Sequence, residues 1–293
     1  MVERSQQFGG DWTEKKLTKV GKYLHAYTTA LKNFPFRLMY VDAFAGTGYR
    51  TSKNDVSEIR QLLDFPEANE FARGSARLAL EVEPAFDRYV FVEKNRRKLS
   101  RLKEMAAEYS RLSDQITFKR GDANEMILKL CGETNWRMWR AVVFLDPYGT
   151  QVNWSTVEAI AKTKSIDLWY LFPSGMGLGR MLTTSGKINP TWEANLNRLL
   201  GTTEWRDVFY ETREEPTLFD DKAKTQQRTY DEDRAADFIL NRMRGIFAGV
   251  GKPAVPLRNS KGICMYHLVF ACGNPNPRAK ALALRIAEHI LKD

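Results

Sequence analysis

The chain is poor in the residues that build metal and redox sites: it has three Cys and three His in 293 residues. None of these six falls in a C-x-x-C or H-x-x-x-H spacing, which argues against a metal centre. Three scattered cysteines cannot make a disulfide framework, so a reducing, cytoplasmic setting is expected. No apolar run approaches the roughly 18 residues that span a bilayer, so no membrane association is expected. The opening MVERSQQFGGDWTEKK lacks the apolar stretch of a secretory signal. Internal repeats and low-complexity tracts are missing as well. No Ser/His/Asp order suggests hydrolysis, and His267, inside an apolar run, reads as a satisfied core residue.

What is there is ordinary globular composition, 43% hydrophobic and 28% charged, which excludes wholesale disorder. The length suits one large domain or two small ones and can bury a sizeable core. The formal charge of +9 makes a polyanion a reasonable partner, although a sum of charges says less than a patch.

A helix is expected over residues 13–33, with Leu17, Val20, Leu24, Tyr27 and Leu31 on one face and Phe34-Pro35 ending it. Short apolar strands then alternate with helices. The strands are Arg37–Val41, Arg88–Glu93, Ile116–Phe118, Ala141–Leu145 and Ile166–Phe172. The intervening segment 50–73 reads as a polar, irregular insert, with a short helix opening at Gly74-Ser75. This alternation predicts an α/β fold with a mostly parallel sheet covered by helices on both faces. It breaks after Phe172. Residues 175–232 read as a helical and loop insert, with short helices at Trp192–Leu200 and Glu204–Tyr210 and a charged loop over Glu211–Asp233. A helix carrying Ala235, Ile239, Met243, Ile246 and Val250 follows. Then come an antiparallel hairpin of Val255–Arg258 and Cys264–Cys272 and a final helix with Ala279, Leu282, Ile286 and Ile290 inward. The whole reads as one domain.

Ligands of parallel sheets sit at the carboxyl ends of the strands, and four motifs fall there. Asp42-Ala43-Phe44-Ala45-Gly46-Thr47-Gly48 follows the first strand, where small residues let backbone approach a ligand. It is neither G-x-G-x-x-G nor a phosphate-binding P-loop, and a plain structural turn is the competing reading. Glu93 ends the second strand, where an acid can accept from both ribose hydroxyls of a nucleoside cofactor. Gly121-Asp122-Ala123-Asn124 ends the third; Asp122 could accept from an adenine amine or simply cap the next helix. Asp146-Pro147-Tyr148-Gly149 ends the fourth. Asp146 and the Pro147 carbonyl can each accept one N–H of a planar amine while Tyr148 stacks on its ring; an Asp-Pro turn is the plainer alternative. Lys94-Asn95-Arg96-Arg97-Lys98 is a basic run, either a solvated face or a phosphate contact. Trp136 and Trp139 are either core or a surface on which a base could stack.

The order of these motifs resembles the class I S-adenosylmethionine-dependent methyltransferases. Asp146–Gly149 resembles the D-P-P-Y motif of amino-methyltransferases acting on nucleic acid, with Tyr148 in place of the second Pro, and is closer to the D-P-[FY]-G form of tRNA guanine-N2 methyltransferases. Tyr40–Tyr49 is similar to the ribosomal-RNA adenine-N6 type. A wider likeness, from about Trp12 to Ile290, is to the three-Cys-motif partner protein family. It rests on Tyr40–Gly48, Gly74–Ala76, Arg88–Lys94, Gly121–Asn124, Val143–Trp154, Ile166–Gly175, Ile246–Gly249, Leu257–Gly262 and Gly273–Pro275. The cysteines of that name belong to a neighbouring partner, not to this chain.

The resemblance implies a Rossmann-like, methyltransferase-like fold, S-adenosylmethionine as cofactor and a three-Cys-motif partner protein. Its cofactor site would comprise Asp42, Phe44, Ala45, Gly46, Thr47, Gly48, Glu93, Asp122 and Ala123. Asp146, Pro147 and Tyr148 would align the acceptor. The expected reaction is methylation of an exocyclic amine of an RNA or DNA base, with the 175–232 insert as target-recognition element. A cofactor-binding scaffold for a partner and a small-molecule methyltransferase are the alternatives.

Overall fold

A computed structural model describes residues 11–45, 67–216 and 222–293. Helix α1 (Asp11–Leu31) leads into strand β1 (Arg37–Asp42). Helix α2 (Glu67–Leu80), β2 (Arg88–Glu93), α3 (Arg96–Ala106), β3 (Ile116–Arg120), α4 (Ala123–Glu133), β4 (Trp139–Leu145), α5 (Trp154–Lys162) and β5 (Ile166–Phe172) continue the alternation. The chain then forms α6 (Met176–Gly179), α7 (Pro190–Leu200), α8 (Trp205–Phe209) and the strand pair β6 (Tyr210–Pro216) and β7 (Lys222–Arg228). Helix α9 (Glu232–Arg244), β8 (Gly249–Val250), β9 (Val255–Arg258), β10 (Cys264–Cys272) and α10 (Pro277–Lys292) complete it.

The main sheet runs β3-β2-β1-β4-β5-β10-β8, with β9 also paired to β10. Strands β1 to β5 are parallel, and β10 is antiparallel to β5, β8 and β9. This is the expected α/β class, mostly parallel with an antiparallel C-terminal hairpin. Alternate side chains serve opposite faces. Met39 and Val41 of β1 join a core with β4, α5, α7 and α9, while Leu38 and Tyr40 join a second with α1, α2, α3 and α10. No helix among the described residues is long and apolar enough to cross a membrane.

Helix α1 crosses the second face beside β5 and β10. Its Tyr23 packs on Trp169 and Phe270 and donates a 2.7 Å hydrogen bond to Asp167 near the start of β5. Lys19 reaches the carbonyl of Ile290 at 2.7 Å, near the end of α10, where a cation suits the helix's orphan carbonyls. Two turns before Tyr23, the N-terminal part of α1 reaches the opposite, C-terminal ends of the strands.

Four local expectations are corrected. Helix α2 starts at Glu67, well before Gly74, because one glycine costs a helix about 1 kcal/mol without ending it. The charged segment after Tyr210 forms the β6–β7 hairpin instead of a loop, in the register Tyr210↔Arg228 to Pro216↔Lys222. The helix expected to reach Val250 stops at Arg244, and Gly249–Val250 pairs instead with β10. Finally, Trp136 and Trp139 lie at the start of β4, roughly 20 Å of strand from the motif at its end. Trp136 Nε1 donates to the Cys131 carbonyl at 2.8 Å, and the Arg37 guanidinium covers Trp139 at 4.5 Å, so neither is placed to stack a base at that motif.

Candidate functional site

The sheet order reverses between β1 and β4: successive crossovers run outward from β1 to β3, and the chain then returns to β4 on the other side of β1. Open parallel sheets bind ligands outside such a switch point. Asp42 ends β1 there, in register with Phe91 of β2 and Phe144 of β4. Glu93 and Asp146 therefore each lie two residues beyond Asp42's level on the flanking strands, and three carboxylates collect along one edge. Beyond Asp42 the backbone leans to both sides. Ala43 N donates to the Phe144 carbonyl at 3.1 Å, and Ala45 N donates to the Val92 carbonyl at 3.0 Å.

Asp42 is fully buried. Ser75 Oγ donates to its Oδ2 at 2.7 Å and Phe44 N to its Oδ1 at 3.2 Å. Burial pushes its carboxyl up to about 7 against those two hydrogen bonds, with the nearby charge of Asp146 adding to the rise. Asp146 leaves the end of β4 and is met by Lys16 of α1, whose Nζ lies 3.2 Å from both carboxylate oxygens. The lysine side chain is only 2% exposed. Burial lowers Lys16 to about 8 despite the attraction of Asp146 and Asp42. Asp146 is raised by burial, a rise that Lys16 opposes.

Glu93 is 4% exposed. Its Oε1 accepts from Asn95 N at 2.5 Å, while Oε2 is buried and has no hydrogen-bond partner among the described residues. Burial raises its carboxyl as well. Asp122 is the N-cap of α4. Its Oδ1 accepts from Asn124 N at 2.9 Å and Asn124 Nδ2 at 3.2 Å, and its Oδ2 faces Lys94 Nζ at 3.7 Å. The capping role is therefore real, and only Oδ2 is turned to anything beyond the cap. Asn124 ties this turn to the one before α5 by accepting from Asn153 N and Thr156 Oγ1, each at 2.8 Å.

On the other side of the switch point, Pro147 is buried and Tyr148 half-buried. Gly149 N donates to Tyr266 Oη of β10 at 3.3 Å. The turn after β5 lies directly on β10: a Cβ at Gly175 would sit 1.8 Å from the Cys264 carbonyl oxygen, so only glycine permits this approach. Ser174 Oγ is 2.6 Å from His267 Nδ1, and His267 Nε2 is 3.2 Å from Asp233 Oδ1. Ser174 is wholly buried, so the chain of three joins the β5 turn, β10 and α9 without offering a nucleophile to a substrate. Both nitrogens of His267 are engaged and burial lowers its pKa, which keeps the ring neutral.

The structure thus gathers Asp42, Phe44, Ala45, Glu93, Asp122, Ala123, Asp146, Pro147 and Tyr148 at the carboxyl edge of the sheet. Gly46, Thr47 and Gly48 lie outside the described residues. Lys16, Ser75 and Tyr266 join the site without being catalytic or binding candidates on sequence grounds. The signal for Lys16 was its place on a stripe: 16, 20, 23 and 27 follow helical spacing, and the other three are buried apolar positions. Among the described residues no group of three or more His, Cys, Asp or Glu could hold a metal ion.

No family model and no curated protein matches the chain. Similar solved structures include a Legionella pneumophila protein of the DUF519 family, at 13% identity and TM-score 0.38 over 81% of this chain and 93% of that one. A methyltransferase from Geobacter sulfurreducens is similar at 12% identity and TM-score 0.30, over 78% and 91%. Spermidine synthase from Thermotoga maritima is similar at 9% identity and TM-score 0.39, over 92% and 62%. These likenesses are too distant to assign an activity.

Proposed function

We propose that this chain is an S-adenosylmethionine-dependent methyltransferase whose acceptor is an exocyclic amino nitrogen of a nucleic-acid base. The observation that carries the reading is Glu93, a buried carboxylate beside the switch point whose Oε2 has no hydrogen-bond partner among the described residues. An orphaned buried acceptor costs about 1–3 kcal/mol, and the vicinal hydroxyls of a ribose are donors of the right number and kind to relieve it. The residues present therefore fit a nucleoside cofactor.

S-Adenosylmethionine, when bound, supplies an electrophilic methyl group on a sulfonium. The protein's work is to hold and aim. Glu93 would take the ribose, the backbone of Phe44 and Ala45 would border the amino-acid portion, and Asp122 Oδ2 with the Ala123 backbone would border the adenine. Asp146 and the Pro147 carbonyl accept the two N–H groups of the acceptor, which turns its lone pair away from them, and Tyr148 covers its ring. Orientation of this kind can supply much of a rate enhancement.

A polyanionic acceptor is supported by the formal charge of +9 and by where part of it lies. Lys94, Arg96, Arg97 and Arg120 are exposed at the carboxyl ends of β2 and β3, and α3 has no acid in its first turn. Cations at the positive end of a helix are locally unfavourable, and phosphates would offset that cost. A base must be single-stranded or flipped to reach the site.

Two measurements test the reading. Calorimetry with S-adenosylmethionine should show binding; a flat titration with folded protein would remove the methyltransferase reading altogether. Filter binding to mixed single-stranded RNA and DNA should weaken steeply between about 50 and 200 mM salt. Cofactor binding without salt-sensitive polymer binding would point to a small-molecule acceptor.

A further inference from the structure

The strongest feature outside the four motifs is the buried lysine on the acceptor carboxylate. Lys16 belongs to a helix that otherwise packs apolar residues and Tyr23 on the sheet, yet its ammonium is set 3.2 Å from both oxygens of Asp146. We propose that Lys16 is a positioning residue of the acceptor site: it keeps Asp146 ionised and fixed in direction so that the carboxylate can receive the acceptor's N–H. This rests on the methyltransferase reading above.

Three observations support it. First, Asp146, 15% exposed, and the fully buried Asp42 are neighbouring carboxylates, each made harder to ionise by loss of solvent. With Lys16 removed, Asp146 would take up a proton more readily and turn one acceptor oxygen into a donor, the wrong partner for an N–H. Second, an ionised carboxylate has about four lone-pair sites, so two contacts from one ammonium leave room for an acceptor amine. Third, α1 is pinned at both Tyr23–Asp167 and Lys19–Ile290, so the lysine is presented from a fixed element. Among the described residues, the groups facing the pair include Asp42 from β1 and the phenols of Tyr40 on β1 and Tyr266 on β10. Both phenols are raised chiefly by burial, Tyr40 further by Asp42 and Asp146 and Tyr266 further by Asp146.

The experiment uses the full chain with Lys16→Met, Asp146→Asn, their double variant, and Lys16→Met/Asp146→Ala. The probe is labelled methyl transfer from S-adenosylmethionine to mixed single-stranded RNA and DNA oligonucleotides, with cofactor affinity read by calorimetry. Lys16→Met should lower kcat at least about thirtyfold with cofactor affinity within about threefold of wild type, since orientation rather than cofactor binding is lost. The double variant with Asn should regain at least about tenfold of that loss, because an amide carbonyl accepts an N–H without a counter-ion; the double variant with Ala should regain nothing. The wild-type rate should fall as pH rises through about 8, where Lys16 loses its proton, and the Asn double variant should lack that limb. A purely structural lysine would produce neither the selective rescue nor the change in pH profile. Should Lys16→Met fail to fold, the two neutral double variants carry the same comparison. Wild-type transfer with an indifferent Lys16→Met, or equal rates in the two double variants, overturns the role of Lys16 alone. A wild type that binds no cofactor overturns the methyltransferase reading, and one that binds cofactor but transfers no methyl to these oligonucleotides overturns the nucleic-acid acceptor; the positioning role falls with either.

Discussion

Burial acts on Asp42 and Glu93 in the same direction but leaves them in different positions. Asp42 has both oxygens engaged, by Ser75 Oγ and Phe44 N, whereas Glu93 Oε2 has no hydrogen-bond partner among the described residues. Glu93→Ala should therefore weaken S-adenosylmethionine about ten- to hundredfold by calorimetry, the loss of charge-assisted hydrogen bonds worth roughly 1.5–3 kcal/mol, with little change in Tm. Asp42 makes its mark on stability instead. Its carboxyl sits at about 7 in the folded chain against an ordinary 3.8, so the folded state holds a proton that the unfolded state has released. The stabilising contribution is full below about pH 4 and is lost as pH rises through about 7. Thermal melts across that range should show Asp42→Asn gaining on wild type as pH rises, by a few kcal/mol in all; parallel curves would mean that the carboxyl is not perturbed.

At the scale of elements, the turn after α7 carries a sharp constraint. Gly201 ends that helix with φ of 70°, and a Cβ there would lie 2.0 Å from Trp154 Cδ1. Gly201→Ala combines a left-handed conformation, about 1–2 kcal/mol, with overpacking of about 1–3 kcal/mol. At a few degrees per kcal/mol for a chain of this size, Tm should drop by roughly 5–10 °C, and an unchanged melt would show that α7 and α5 can part cheaply. The elements differ in how plainly their residues announce them. Strands β1, β2, β4 and β5 are nearly continuous apolar runs, because both faces are covered. Their carboxyl ends were legible with them, which is why Asp42, Glu93 and Asp146 could be placed together. The β6–β7 hairpin was not legible: its residues 211–213 and 225–227 are polar and exposed, and backbone ladder hydrogen bonds leave no trace in hydropathy. Lys16 was hidden for a related reason. Lysine on a helix is ordinarily a surface residue, and the partner of this buried one, Asp146, lies 130 positions away in the chain.

Across the whole molecule, protection should follow burial. Every residue of β5 is buried, and β1 and β4 are nearly so, while the described residues of β6 and β7 beyond Tyr210 are mostly exposed. Hydrogen exchange should place the amides of β1, β4 and β5 in the slowest class and those of β6–β7 in the fastest; slow exchange throughout the hairpin would require a partner seated on it. The antiparallel seat of β10 has a consequence for how the chain reaches this state. Sequential crossovers can build β1 to β5 as synthesis proceeds, but the free edge of β5 is filled only by β10, which is made after the whole 175–232 segment and α9. Until then the nascent chain displays an apolar strand with unpaired backbone groups, the type of surface on which chains associate wrongly. The ribosome must therefore deliver Cys264–Cys272 before this strand, buried along its whole length in the finished fold, is safe from its neighbours, and the yield of soluble protein should depend more on the speed of that last interval than on anything that happens earlier.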